Sequence, residues 1–120
     1  MTLAFESRFV SCNDAIGGEI LQVNFDTVSS TAAEEARETP YVLISRNFEP
    51  TDATTIEWHD GHDYDGGAEI IAATLKRDRI LLELDRDMRI EVTFRLSARK
   101  FAKVTSFLRK MIDERVCNYV

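Results

Sequence analysis

The sequence predicts an α+β domain in which an antiparallel sheet of five to seven strands carries one C-terminal helix packed on one face. Apolar residues occupy every second position across much of residues 79–96, which is the pattern of strands with one dry side. Across residues 101–112 they recur instead at intervals of three and four, as on one stripe of a helix. Because such a stripe needs an apolar partner, we expect the helix to pack on the dry side of that sheet.

Short alternating runs predict further strands in the N-terminal half. Apolar and polar residues alternate across residues 3–9 and again across residues 21–25, so we expect two strands paired as a hairpin around a glycine-containing loop. The continuous apolar run at residues 41–44 predicts a central strand covered on both faces. Between them, residues 27–39 are rich in Ser, Thr, Ala and Glu, and we expect a mobile loop with one helical turn at residues 32–37.

The middle of the chain predicts two more strands separated by polar connections. After a turn at Pro50, residues 54–59 are rich in β-forming side chains and are expected to form the fourth strand. Residues 60–67 contain Asp, His and Gly, which are typical of a loop between strands. Residues 70–75 are expected to form the fifth strand.

The C-terminal helix has recognisable ends. Ser97 lies just before the apolar stripe and is the expected N-cap, because its hydroxyl can accept a hydrogen bond from an amide of the first turn. Arg109 and Lys110 suit the negative end of the helix dipole. We expect the helix to run from Ser97 to about Arg115.

Length and composition bound the class of protein. A chain of 120 residues with 44% hydrophobic side chains can bury one core, so we expect a single domain spanning residues 1–120. No apolar run approaches the roughly 18 residues of a membrane helix, and no signal peptide is recognisable, so a cytoplasmic protein is expected. Two cysteines, Cys12 and Cys117, do not make a disulfide framework. We expect two reduced thiols, and a bond between them remains the alternative.

The distribution of charge is uneven. The net charge is −6, and residues 47–69 contain seven acidic residues with no Lys or Arg. An acidic segment argues against nucleic acid as a partner and suits a basic protein. Residues 97–115 contain six basic and two acidic residues, and the bases alternate with the apolar stripe. They are therefore expected to form the solvated face of the helix, and the alternative for the acidic segment is that it only keeps the chain soluble.

The histidine-containing loop at residues 58–67 invites a metal interpretation that its spacing does not support. An alignment to a calcium-binding loop places Gly61 and Ala72 where acidic ligands are required. Zinc bound through His59 and His62 would need ligands from elsewhere, to which nothing in the sequence points. We expect no metal here.

Motifs that would indicate an enzyme are also missing from the sequence. There is no nucleophile-elbow motif Gly-x-Ser-x-Gly and no glycine-rich phosphate-binding motif. Cys12 can be matched with a histidine only by supposition. We expect no enzymatic activity, no catalytic residue and no cofactor.

The order of elements and several short motifs resemble a known family. The motifs are Tyr41-Val42-Leu43-Ile44-Ser45-Arg46, Ile56-Glu57, Tyr64-Asp65-Gly66-Gly67-Ala68-Glu69, Ile80-Leu81-Leu82-Glu83-Leu84 and Ile90-Glu91-Val92-Thr93-Phe94. In these motifs the chain is similar to the bacterial immunity protein 10 family. The resemblance implies a cytoplasmic antitoxin that binds a cognate polymorphic toxin and blocks it by occlusion. It implies no catalytic residue.

Charge and side-chain chemistry indicate which residues are candidates for contact with the toxin. The carboxylates are expected to complement a basic toxin domain, and two aromatic residues are candidate anchors. The candidates are Glu57, Trp58, Asp60, Asp63, Tyr64 and Asp65. Two alternatives remain open. One is a structural or homo-oligomeric module, a homodimer included, and the other is a metal-binding protein that uses His59, His62 and the neighbouring aspartates.

Overall fold

The computed structural model describes residues 1–28, 39–48 and 53–120. Within these ranges the chain forms ten strands, a short 3-10 turn (Ile16–Gly18) and one α-helix, α1 (Ala98–Met111). The strands are β1 (Thr2–Glu6), β2 (Phe9–Ala15), β3 (Ile20–Asp26), β4 (Tyr41–Asn47), β5 (Ala53–His59), β6 (Tyr64–Ala68), β7 (Ile70–Leu75), β8 (Arg79–Leu84), β9 (Met88–Thr93) and β10 (Cys117–Tyr119). The helical turn expected at residues 32–37, with most of its loop, and the turn expected at Pro50 lie outside the described residues.

The strands form two five-stranded sheets. The N-terminal sheet has the order β2-β3-β4-β5-β6, and every pairing in it is antiparallel. The C-terminal sheet has the order β1-β9-β8-β7-β10, in which β1 pairs with β9 and β10 pairs with β7 in parallel. The α+β class and the single C-terminal helix are thus confirmed, whereas the strands are divided between two sheets and are not all antiparallel.

Ser7 is the point at which the chain changes sheets. Its backbone N–H donates to the Thr93 carbonyl in the C-terminal sheet over 2.8 Å, and its hydroxyl donates to the Asp26 carbonyl in the N-terminal sheet over 3.0 Å. The strand expected across residues 3–9 therefore ends at Glu6, and Phe9 begins β2. It is β2, not β1, that forms the hairpin with β3. Leu3 is buried in β1, whereas in β2 Val10 is buried and Phe9 is 47% exposed, so the alternation of buried residues changes phase at the break.

Helix α1 begins where the sequence predicts and ends earlier. The Ser97 hydroxyl accepts a hydrogen bond from the Lys100 N–H over 3.1 Å, which confirms the N-cap. Ile112 has extended backbone angles and terminates the helix short of Arg115. After the helix, the Asp113 carboxylate accepts hydrogen bonds from the backbone N–H and the side chain of Arg115. These bonds stabilise a turn that is separate from the helix.

The helix contacts β2 and β3 of the N-terminal sheet, not chiefly the strands at residues 79–96 as expected. Its C-terminal end is tied to the same sheet, because the side chains of Arg46 on β4 and Thr54 on β5 donate to the Met111 carbonyl. The two sheets meet in one core, in which the rings of Phe25 and Phe94 are stacked at 5.9 Å. The apolar stripe predicted for the helix is buried, but the periodicity of the sequence does not indicate which of the two sheets packs against it.

β6 and β10 are absent from the sequence prediction, and β2 overlaps the first expected strand only at Phe9. β6 lies where a polar loop is expected, and β10 is a three-residue strand after the helix. Both are short, and β6 is polar and contains two glycines, so neither has an apolar alternation to detect.

Both cysteines are free thiols, and burial raises the pKa of each. Among the described residues, no helix is long and apolar enough to cross a membrane.

Candidate partner-binding surface

The N-terminal sheet has one face inside the core and one face open to solvent. On β4, Val42 and Ile44 are fully buried, while Tyr41 and Leu43 on the opposite face are only partly buried, so the strand expected to be covered on both faces is fully covered on one. We call the open side the outer face. Its side chains, in register across the five strands, are Phe9, Ser11, Asn13, Gln22, Asn24, Asp26, Tyr41, Leu43, Ser45, Thr55, Glu57, His59 and Tyr64.

Within the described strands, the outer face carries negative charge and no Lys or Arg. Asp26 and Glu57 are its charged side chains in the described strands, and none of the residues named for it is Lys or Arg. The outward side of the C-terminal sheet is different, because Arg79 lies 2.9 Å from Glu91 and Arg89 lies 3.5 Å from Glu83. Charge is therefore balanced on one sheet and unbalanced on the other.

The acidic loop between β5 and β6 borders this face and is held by Asp60. The Asp60 carboxylate accepts hydrogen bonds of 2.7 Å from the N–H groups of His62 and Asp63. These backbone bonds hold the pKa of Asp60 below its usual value, with small contributions from the two nearby histidines. The loop is thus ordered by its own side chain, and the Asp63 carboxylate projects into solvent.

Tyr64 and Glu57 are joined across the edge of the outer face. The Tyr64 hydroxyl donates to the Glu57 carboxylate, and the side chain of Tyr64 reaches it over Gly66. A Cβ at position 66 would lie 3.1 Å from the Tyr64 hydroxyl oxygen and 3.1 Å from the Glu57 Cβ, so a larger residue here would have to displace one of the two side chains. Tyr64 is 59% exposed, which leaves its ring available to a partner.

The hydrogen bond to Glu57 raises the pKa of Tyr64. A pKa raised by folding contributes stability that is present below the unfolded pKa, about 10 for tyrosine, and that is lost as the pH rises through the folded pKa. We predict that Glu57→Gln moves the titration of one tyrosine towards lower pH, measured by the ultraviolet absorbance of tyrosinate. Asp60→Asn is the control, and identical curves for Glu57→Gln and the wild type would contradict the contact.

Trp58 lies on the inner side of the same sheet. Its side chain is 5% exposed and stands opposite Val42 in the register, so the exposure on which its role as an aromatic anchor depends is not found. It belongs to the core and forms one wall of the site. Tyr64 is the exposed aromatic residue of the predicted set.

Arg86 is a residue of this site that the sequence does not reveal. Its guanidinium lies 5.8 Å from the centre of the Trp58 ring and 3.6 Å from the Asp65 carboxylate, and it donates to the Gly66 carbonyl over 3.1 Å. It comes from the β8–β9 turn, where Arg86 and Asp87 both have positive φ, 70° and 53°. The acidic segment therefore receives one base from the other sheet, and no local pattern signals it.

Five of the six predicted residues lie around one cleft between the two sheets. This cleft has a volume of about 300 Å³, and Arg86 and Met88 also line it. The predicted residues around it are Trp58, Asp60, Asp63, Tyr64 and Asp65. Glu57 lies beside it on the outer face, bonded to Tyr64. We call the outer face together with the residue 60–65 loop the acidic surface.

The His59 side chain contacts the neighbouring strand β4 and its own loop. His59 is 8% exposed beneath the stacked ring of Tyr41, and its Nδ1 accepts the Gly61 N–H over 3.0 Å. In the part of the chain that the structure describes, no three His, Cys, Asp or Glu side chains are grouped so as to hold a metal ion.

Comparison of the chain with models of known protein families gives no match, and comparison with curated proteins gives none either. The geometry of the acidic surface is therefore the main guide to function.

Proposed function

We propose that this chain is a cytoplasmic immunity protein that binds a basic toxin domain through the acidic surface and blocks it by occlusion. The observation that carries the proposal is the unbalanced charge of one sheet face. Such a surface raises the rate of encounter with a basic partner, because the attraction acts before contact is made. The resemblance of the short motifs to the immunity protein 10 family supports the toxin as the partner.

The contact chemistry follows from the positions of the side chains. Asp63 and Tyr64 are exposed at the rim of the cleft, and Glu57 lies on the flat outer face beside them. An exposed aromatic side chain surrounded by carboxylates is a common composition for an interface that binds Lys or Arg side chains of a partner. Occlusion requires no catalytic group on this chain.

Neutralising the acidic loop tests the proposal. We predict that Asp60→Asn, Asp63→Asn and Asp65→Asn together slow association with the toxin about tenfold at low salt and weaken its salt dependence. Asparagine keeps the acceptor oxygens that Asp60 and Asp65 use towards backbone N–H groups, so the loop is expected to remain folded. The measurements are association kinetics at several salt concentrations and protection of cells that co-express the toxin.

A matched control removes the same number of negative charges at positions away from the acidic surface. The control variant combines Asp14→Asn, Glu19→Gln and Glu114→Gln. Asp14 and Glu19 lie near the β2–β3 turn, and Glu114 follows the helix. This variant also changes the net charge by three but leaves the acidic surface intact. We expect its association rate to stay close to that of the wild type. Full protection and an unchanged association rate in the folded loop variant would exclude the loop as the contact.

A further inference from the structure

A second charged surface lies at the N-terminal end of helix α1. The bases come from the β7–β8 turn, the β9–α1 connection and the helix, and we call them together the basic surface. Its members are Arg77, Arg95, Arg99, Lys100 and Lys103. Arg77 donates to the Leu96 carbonyl over 2.7 Å, and its guanidinium lies 4.8 Å from the centre of the Phe101 ring, which fixes the turn against the helix.

These bases have no carboxylate partner among residues 1–28, 39–48 and 53–120. The ion pairs of that part of the chain engage other arginines, namely Arg79, Arg86, Arg89, Arg109 and Arg115. Asp78, the neighbouring acid, is paired with Arg79. The basic surface is therefore as unbalanced as the acidic surface, with the opposite sign.

The position of these bases opposes the stability of the helix. The first turn of α1 contains no acidic residue and contains Arg99 and Lys100. A helix dipole is positive at its N-terminus, where cations are unfavourable. Arg99 and Lys100 therefore do not add to the stability of the helix, which leaves them available for an interaction.

The two surfaces point in opposite directions. Helix α1 packs on the inner face of the N-terminal sheet, since Val104 and Leu108 are fully buried and the helix end is bonded to Arg46 and Thr54. The acidic surface is on the outer face of the same sheet. Within the described residues, one copy of the chain therefore presents an acidic side, on which Arg86 is paired with Asp65, and, across the sheet, a group of bases without a carboxylate partner.

We propose that the basic surface docks on the acidic surface of a second copy of this chain. The occupant is argued from charge complementarity, because the chain itself carries a matching acidic face, whereas a net charge of −6 disfavours nucleic acid. The contact joins two different surfaces, so each added copy leaves one of each kind free and association continues beyond a dimer. A toxin bound to the acidic surface would compete with this contact.

Sedimentation of the purified chain over a range of concentrations tests the contact. We expect mass to rise with concentration at low salt and the monomer to dominate at about 0.5 M salt, where the screening length is roughly 4 Å. A variant with Arg99→Gln, Lys100→Gln and Lys103→Gln, and separately the triple asparagine loop variant, should each remain monomeric. Glutamine is a good helix former, so the melting temperature of the first variant should not fall.

Mixing the two variants gives the sharpest result. Each keeps one intact surface, so an equimolar mixture should form a complex of one copy of each and grow no further. Association of either variant alone as in the wild type, or a monomeric mixture beside an associating wild type, would overturn the proposal. A wild-type protein that stays monomeric at low salt would also overturn the proposal, even if its basic surface retards nucleic acid in a gel-shift assay. The glutamine variant should still protect against toxin, so the two proposals fail separately.

Discussion

Replacing Leu108 with alanine is expected to lower the free energy of unfolding by about 2–5 kcal/mol, the range for a buried large-to-small change. Leu108 is fully buried, and it lies between Val104 and Met111 on the stripe of α1 that faces the core. Alanine preserves the helix propensity, so the loss comes from the cavity and the lost apolar contacts.

Thermal or denaturant unfolding measures this effect. Lys103→Ala is the matched control, because it lies on the exposed side of the same helix and should change the unfolding free energy by less than about 0.5 kcal/mol. An unchanged melt for Leu108→Ala would contradict the packing of α1 on the N-terminal sheet.

Replacing Trp58 with alanine is expected to cost about 3–5 kcal/mol of stability, as for other buried aromatic residues. The indole fills the space between β4 and β6, and Arg86 lies over its ring. Truncation removes this apolar contact and also releases the guanidinium that reaches Asp65 and Gly66.

The comparison with Trp58→Phe separates a core role from an interface role. Phenylalanine keeps much of the buried area, so this variant should retain most of the stability and bind the toxin at close to the wild-type dissociation rate. A Trp58→Ala variant that melts like the wild type but releases the toxin faster would restore the indole as an interface anchor.

Much of the candidate site could be predicted because its residues are neighbours in the chain. Asp60, Asp63, Tyr64 and Asp65 fall within six positions, so their proximity follows from a single loop and strand. Glu57 joins them through an antiparallel pairing of β5 with β6, opposite Gly66. The outer face as a whole could not be predicted, because it depends on the register of five strands.

The sequence alone determined the α+β class, the helix with its Ser97 cap and the positions of most strands, because these follow from the local periodicity of apolar residues and from local capping. Only the tertiary structure decided which sheet each strand joins, which sheet receives the helix, that Trp58 is buried and that Arg86 reaches the acidic segment. Periodicity shows which face of an element is apolar, but its partner is chosen by contacts between residues far apart in the chain.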